Sequence, residues 1–362
     1  MKFSTLSLLF AQIFLLPFIA IFPAQRLHAE EANTTELRAQ FFKLCDVAAA
    51  KATNAESKGP FFVDSYAVRA LCVAYDLTGE QKYLNACKAW SQRMVEYQKH
   101  MTPRGAYYMH YNRKPGETTN DWYAADSSSI GMAILATSVR CEGAEKKNFV
   151  DSAKHFAELV LKNYVKPSGG VTDGIWSQSS DAWWCSSALF GSFLFNLYAV
   201  TGDKHYLGAA LNITDWLNQW DLTKEQPFPL AQQGPAMIFY VMENYSAGWP
   251  YIAKDPAINR AALAKANWCL DWIATQQDKS PADRPWPTTK GWGMKFGGLP
   301  FHQYAFARYL PGEEKLAAAG DAELQRLASI VFAGKPEFTQ LSVFLMMSYA
   351  ERLDPGAIYR AR

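Results

Sequence analysis

Two aspartates stand at corresponding places in the chain, each beside the start of a long apolar segment. Asp126 lies in the run AADSS, and Asp181 lies in the run SSDAW. If both open neighbouring helices, which pack roughly 8–10 Å apart, their carboxyls can face each other across several ångströms. One protonated and one ionised carboxyl then divide the work of general acid and base or nucleophile. The alternative is that each aspartate only caps its helix, which contributes about 1 kcal/mol.

Loop acids and aromatic side chains crowd the segments around this pair. Asp121 and Asp173 are reserve catalytic candidates, because each lies close to a tryptophan. Sugar rings stack on flat aromatic faces and their hydroxyls seek polar partners, so these segments predict a carbohydrate cleft. The alternative is that these aromatic residues cover the ends of the core. The candidate substrate-binding residues are Tyr108, His110, Trp122, Tyr123, Trp176, Trp183, Trp184, Trp292 and His302.

Helices of two kinds must position these residues. Six nearly all-apolar helices are predicted to start near residues 64, 125, 181, 234, 297 and 338. Six amphipathic helices are predicted near residues 34–53, 82–99, 145–163, 205–219, 257–276 and 321–333. A helix that is apolar on almost every side must be buried. The alternation therefore predicts an all-α fold, an (α/α)6 barrel in which an inner ring is covered by an outer layer.

Internal repetition supports that architecture. Tyr83, Cys87, Trp90 and Met94 step by four, three and four residues, and two later helices repeat the pattern. The turns Thr78-Gly79-Glu80 and Thr201-Gly202-Asp203 precede corresponding Tyr-Leu pairs. A repeated helical hairpin is therefore expected.

The connections predict where chemistry takes place. Turns from inner to outer helices are mostly short, whereas the return loops are long, for example 99–125 and 278–296. Long loops on one face of a rigid scaffold commonly carry function. The same face should collect the N-termini of the inner helices, each with roughly +0.5 elementary charge, so it should favour anionic groups.

The N-terminus resembles a secretory signal. Lys2 precedes the apolar run from Leu6 to Phe22, and Ala29 stands at a plausible cleavage point. We therefore expect a signal peptide at residues 1–29, a single catalytic domain at residues 30–362, and a secreted or periplasmic location. An uncleaved membrane anchor is the alternative; after cleavage no stable membrane insertion is expected.

Charge and cysteine content narrow the function classes. Loss of Lys2 and Arg26 lowers the basic residues from 36 to 34, equal to the 34 acidic residues. A nearly neutral chain gives no electrostatic case for binding nucleic acid. The six cysteines are too few for a disulfide scaffold and lack zinc-site spacing, so no metal or other cofactor is expected. One or two disulfides remain open, as does the oligomeric state.

Together, the Thr-Gly-Asp/Glu turns, the helices opened by aspartate and the Trp-rich loops resemble the six-hairpin glycosidase superfamily. Within it, the chain is most similar to unsaturated glucuronyl and rhamnogalacturonyl hydrolases. The resemblance implies that Asp126 acts as the acid and that Asp181 on the next hairpin assists. Ala125 stands where a histidine commonly precedes the first aspartate of the glucuronyl group. A uronide substrate is therefore left open.

Three functions fit these sequence features. The first is a secreted glycoside hydrolase that acts on oligosaccharides, including uronic-acid-containing ones, through carboxylate acid/base catalysis. The second is a polysaccharide lyase that uses a tyrosine or histidine base for β-elimination. The third is a non-catalytic glycan-binding protein of the cell envelope. In each case the expected partner is an oligosaccharide or polysaccharide.

Overall fold

A computed structural model describes residues 21–109, 122–172, 182–219, 230–277, 298–310 and 313–361. These residues form helices and connecting turns, and an antiparallel β-bridge joins Val165 and Val171. The helices are α1 (Ile21–Thr53), α2 (Phe61–Thr78), α3 (Gln81–Lys99), α4 (Ala124–Ser138), α5 (Gly143–Asn163), α6 (Trp184–Thr201), α7 (Lys204–Gln219), α8 (Leu230–Ile252), α9 (Pro256–Gln277), α10 (Leu299–Ala307), α11 (Glu313–Val331) and α12 (Gln340–Leu353). A short 3₁₀ helix, Ala357–Tyr359, follows α12.

The even-numbered helices form a closed inner ring. Each even-numbered helix contacts the next one, from α2 through α4, α6, α8 and α10 to α12. Helix α12 then packs against α2, which closes the ring. Between Ala124 and Ser138, every residue of α4 is buried, which is why that segment is apolar or carries only small polar side chains. The predicted (α/α)6 barrel is confirmed, and with it the alternation of six buried and six half-buried helices among the described residues.

The odd-numbered helices cover the ring with one apolar stripe each. On α5, Phe149, Ala153, Phe156 and Val160 have no exposed surface, while the opposite side of the helix is charged. The predicted stripes on α3 and α7 are also buried. Helix α1 contacts α2, α3 and α12, so it covers the place where the ring closes.

The two Thr-Gly-acid turns have the same structure, as the repeat predicts. Gly79 and Gly202 adopt φ of 71° and 72°, a left-handed conformation that glycine enters at little cost. Each glycine N–H donates to the carbonyl four residues earlier, at 2.7 Å in both turns. Each threonine hydroxyl also donates to a carbonyl of its own helix. The same short sequence therefore ends an inner helix twice.

The N-terminal helix is longer than predicted, since α1 reaches back to Ile21. Residues 1–20 of the predicted signal lie outside the described residues, and cleavage stays a prediction. Within the described part of the chain, no helix is both long and apolar enough to cross a bilayer.

Close packing between α4 and α6 yields a first prediction. A Cβ placed on Gly131 would lie 2.7 Å from Cε2 of Phe193. That ring cannot easily withdraw, because it packs against Phe156 and Phe190. Gly131→Ala should therefore lower the free energy of unfolding by about 1–3 kcal/mol, measured by urea denaturation.

Gly208 provides the matched control on the outer layer. It lies within α7, is exposed, and has no atom within 4 Å of a built Cβ. Gly208→Ala should raise the unfolding free energy by about 0.5–1 kcal/mol, because alanine favours the helix. Equal effects at both glycines would contradict the close approach of α4 and α6.

Candidate active site

The N-termini of the inner helices define one pole of the toroid, which we call the mouth. Helices α2, α4, α6 and α10 begin after Pro60, Tyr123, Trp183 and Gly298, and none of these residues provides a side-chain cap. The first-turn N–H groups carry the positive end of the helix dipole. The mouth should therefore attract negative charge, as the sequence predicts.

Asp126 lies in the first turn of α4, at its third residue, and is 3% exposed. Ser129 follows three residues later and lies about 60° away around the helix, whereas Met132, six residues later, lies about 120° away. Ser129 Oγ lies 3.5 Å from the Tyr66 hydroxyl, and Met132 Sδ lies 3.7 Å from Arg69 Nη1. Both contacts are made to the neighbouring inner helix α2, and from the Ser129 contact we infer that Asp126 lies on the inward side of α4, nearest the mouth.

The expectation that Asp126 and Asp181 each open a helix was wrong in detail. Helix α4 begins two residues before Asp126, and α6 begins at Trp184 instead of Ala182. Trp183 is extended, with φ −116° and ψ 133°, because its N–H donates to the Val171 carbonyl at 2.7 Å. This hydrogen bond delays the start of α6, so Asp181 is not its N-cap.

Three aromatic residues meet near the start of α6. The Trp184 ring stacks on Tyr240 of α8, with ring centroids 6.1 Å apart. Trp183 meets Trp184 edge to face at 6.3 Å and is half-buried. The indole Nε1 atoms of both tryptophans have no hydrogen-bond partner in the described part of the structure. Two indole donors are therefore placed at the mouth within one aromatic group.

Other predicted binding residues lie within the wall of the toroid. Tyr108 is buried between Phe61 and Tyr97, with centroid distances of 6.0 and 5.5 Å. Trp122 is fully buried against Tyr164 of the outer layer at 5.2 Å. Tyr123 is half-buried and precedes α4. A role for these residues in sugar binding stays a prediction. The predicted site residues outside the described ranges are Asp121, Asp173, Asp181, His110, Trp176 and Trp292.

A buried polar group lies inside the ring, and of its four residues the sequence patterns singled out only His302. We call Tyr66, Arg69, Glu243 and His302 the axial cluster. The Tyr66 hydroxyl donates to Glu243 Oε2 at 2.7 Å, and Arg69 Nη1 donates to Glu243 Oε1 at 2.9 Å. Phe239 covers His302 edge to face, with ring centroids 4.5 Å apart. Helices α2, α8 and α10 thus each contribute polar side chains to one buried site.

Burial and charge set the protonation states of this cluster. Burial, the largest single effect, would lower the pKa of Arg69, but Glu243 together with Tyr66 and Tyr359 raises that pKa above its ordinary value. Burial, followed by the charge of Glu243, raises the pKa of the Tyr66 hydroxyl well above its ordinary value. The guanidinium therefore stays charged and the phenol stays neutral. Arg69 Nε and Nη2 have no partner among the described residues.

His302 is held neutral. Burial, and then the positive charge of Arg69, lowers the pKa of His302 to about 3. Ser246 Oγ donates to the Met242 carbonyl at 2.9 Å, so its remaining contact with His302 Nδ1 at 3.4 Å assigns the ring proton to Nδ1. Nε2 then carries the lone pair, and it has no partner in the described part of the chain. This imidazole has the form of a general base.

The depressed pKa of His302 predicts an acid-sensitive stability. The unfolded imidazole takes up a proton below about pH 6.5, whereas the folded one does so only near pH 3. The unfolding free energy therefore decreases as pH falls between these two pKa values, with a slope of up to about 1.4 kcal/mol per pH unit from His302. When the pH is lowered from 7 to 5, the unfolding free energy of His302→Leu should decrease less than that of wild type.

Urea unfolding at several pH values measures that difference. His205→Gln, at an exposed position on α7, is the control and should follow the wild-type slope. Burial also raises the pKa of Glu351 to about 7, but that contribution is common to all three proteins and cancels. Parallel curves for wild type and His302→Leu would contradict the neutral assignment.

Together, these features define a class. The chain forms a toroid of six helical hairpins, with acidic and aromatic residues at its mouth and a polar cluster within its ring, and solved carbohydrate-active proteins have the same fold. No family model matches the sequence, and no curated protein is similar to it. The class therefore rests on structure alone.

Three solved proteins share this fold across nearly their whole length. An unsaturated glucuronyl hydrolase variant, with dGlcA-Glc-Rha-Glc, has a TM-score of 0.61 and 10% identity, covering 91% of this chain and 99% of its own. Cellobiose 2-epimerase from Bacillus thermoamylovorans has a TM-score of 0.61 and 11% identity, covering 89% and 100%. A glycoside hydrolase family 76 mannosidase from Bacteroides thetaiotaomicron has a TM-score of 0.54 and 11% identity, covering 87% and 98%. At such identities the likeness establishes the fold.

Proposed function

We propose that this chain is a secreted glycoside hydrolase that acts on oligosaccharides at the mouth of the toroid, with Asp126 as general acid. The position of Asp126 carries the proposal: a buried carboxyl in the first turn of an inner helix, on the inward side, at the pole that bears the aromatic residues. Two of the solved proteins with this fold are glycoside hydrolases, which favours the same reaction class.

The proposed reaction needs a proton donor and a second carboxylate. As general acid, Asp126 would carry the proton that passes to the leaving glycosidic oxygen. Asp181 is the proposed second carboxylate, acting on water or on the anomeric carbon. The half-buried Trp183 would contact a sugar face, and the buried Trp184 and Tyr240 rings would support it from within.

Incubation with a panel of plant and algal oligosaccharides tests this proposal, with product masses as the readout. Hydrolysis splits the substrate into two fragments whose summed mass exceeds the substrate by one water. An oligosaccharide that binds and is recovered intact after long incubation would instead support a glycan-binding protein and overturn the hydrolase.

His302 favours a second candidate function, proton abstraction from a sugar carbon. A neutral imidazole with an unshared Nε2 lies beside the Arg69 guanidinium, which could stabilise a carbanion, and because a pKa of about 3 makes this imidazole a weak base, substrate binding would have to raise that pKa. A polysaccharide lyase also begins by abstracting a proton from a sugar carbon. The fold also occurs in a cellobiose 2-epimerase. His302 is covered by Phe239, so that ring would have to move to admit a substrate.

Products formed in deuterium oxide distinguish the two chemistries. Hydrolysis leaves the carbon-bound hydrogens unlabelled. Elimination gives an ultraviolet-absorbing double bond without a gain of water, and epimerisation returns a deuteron to carbon at unchanged connectivity. Labelled or unsaturated products that disappear in His302→Leu would replace the hydrolase with the second candidate.

A further inference from the structure

Two cysteines of the first complete hairpin lie in contact inside the protein. Cys72 is on the inner helix α2, and Cys87 is on the outer helix α3. Their Sγ atoms are 3.6 Å apart, and the residues are only 1% and 0% exposed. A disulfide requires an Sγ separation of about 2.0 Å, so the two sulfur atoms would have to approach by roughly 1.6 Å.

The hairpin fixes this approach. The turn at Gly79 is held by its backbone hydrogen bond to Tyr75, so α2 and α3 leave it in a set register. The equivalent turn at Gly202 places Phe195 and Ala210 at the corresponding offsets. The repeated fold therefore does not require cysteine at these positions, and the thiol pair is particular to the first hairpin.

The surroundings bear on thiol chemistry. Burial raises the pKa of Cys87, while the positive charge of Arg140 acts to lower it and favours a thiolate. Arg140 is itself fixed by a hydrogen bond from Nε to Asp76 at 2.9 Å. A thiolate is the attacking species in thiol–disulfide exchange, so a nearby fixed cation assists that reaction.

We propose that Cys72 and Cys87 form a disulfide that joins the two arms of this hairpin when the chain folds under oxidising conditions. One thiolate attacks a disulfide of an external thiol–disulfide oxidant and forms a mixed disulfide; the second thiolate then displaces the oxidant's other sulfur. Both cysteine protons pass to solvent, and two electrons reduce the oxidant's disulfide to two thiols. Both groups are buried, so the bond forms during folding.

Alkylation and mass spectrometry test the pairing on the full chain. The protein is refolded with oxidised glutathione or with dithiothreitol, then denatured and alkylated. Six cysteines are present, so reduced protein should take up six alkyl groups, and oxidised protein four. Trypsin cleaves after Arg69, Lys82 and Lys88, so oxidised protein should yield peptides 70–82 and 83–88 as one species, about 2 Da lighter than their sum.

Variants separate this pair from other pairings. Cys269→Ser, on α9, should keep the linked peptides, whereas Cys72→Ser and Cys87→Ser should each lose them. Oxidised wild type should also melt several degrees above reduced wild type, and this difference should vanish in Cys72→Ser. Six alkylated thiols after oxidative refolding, or linked peptides from another pair, would overturn the proposal. The wild-type measurement decides even if a variant fails to fold.

Discussion

Asp126→Asn is expected to lower kcat on the cleaved oligosaccharide by roughly 10²- to 10⁴-fold, the range that general acid catalysis contributes. Asparagine keeps the shape of the side chain but has no carboxyl proton to transfer to the leaving oxygen. KM should change little, since the amide can still accept hydrogen bonds. The protonated carboxyl and the amide are both neutral and have the same shape, so the substitution should cost little stability and the fold should persist.

Asp64→Asn is the matched control for this experiment. Asp64 is also 3% exposed and also lies in the first turn of an inner helix, α2. Its carboxylate, however, pairs with Lys51 of the outer-layer helix α1. Burial raises the pKa of Asp64 and the Lys51 charge opposes that shift. Asp64→Asn should weaken the α1–α2 contact and leave kcat close to wild type.

Steady-state kinetics on both variants, with circular dichroism as a check of folding, decides the matter. An Asp126→Asn protein that is folded and fully active would remove Asp126 from the mechanism. Equal decreases in kcat in Asp126→Asn and Asp64→Asn would mean that both carboxylates affect activity only by stabilising the fold. Asp181→Asn is expected to behave like Asp126→Asn.

The sequence predicted the architecture because the architecture depends on periodicity. The stripe at Tyr83, Cys87, Trp90 and Met94 could only belong to a half-buried helix, and its two repeats implied hairpins. The mostly apolar segment that begins at Trp184 required burial on every side. These are local patterns, and the closed ring follows from alternating them six times.

Helix starts were less predictable because they depend on contacts between segments. The start of α6 is set by the hydrogen bond from Trp183 to Val171, and Ser187 Oγ accepts a second one from the Val171 N–H at 2.8 Å. The sequence of the α6 segment alone predicts neither hydrogen bond, because the partner of both is Val171. Because aspartate is common at N-caps, the sequence predicted that α6 would start after Asp181. The residue that precedes α6 is Trp183, two residues later.

Three members of the axial cluster, Tyr66, Arg69 and Glu243, were missed for a similar reason, whereas His302 was a sequence candidate. Arg69 and Glu243 are charged residues inside otherwise apolar helical segments, and such exceptions are the available signal. Their pairing joins residues 174 positions apart and depends on how the ring closes. A search for charged residues within predicted inner helices would have identified both residues, although not their contact.

The buried pair of Arg69 and Glu243 gives the second large prediction. Both side chains are 1% exposed, and their N–O distance is 2.9 Å. Glu243→Gln leaves the guanidinium without a counter-charge, which should cost about 3–5 kcal/mol of unfolding free energy. Arg69→Met should cost a similar amount, because the Glu243 carboxylate would retain only the Tyr66 hydroxyl as a donor among the described residues.

The double variant Arg69→Met/Glu243→Gln should be more stable than either single variant, since neither charge is then left alone. Urea denaturation of all four proteins measures the coupling. Lys147→Met is the control: it removes an exposed ion pair with Asp151 on α5 and should change stability by no more than about 1 kcal/mol. Additive losses in the double variant would contradict a coupled pair.

Activity of the same double variant separates a structural role from a functional one. A buried ion pair is costly to desolvate and is often replaceable by neutral groups without loss of stability. Its presence inside the ring, with Arg69 Nε and Nη2 unpartnered among the described residues, is thus poorly explained by folding alone. We expect the double variant to regain stability and still lack turnover. A stable and fully active double variant would assign the axial pair to the fold.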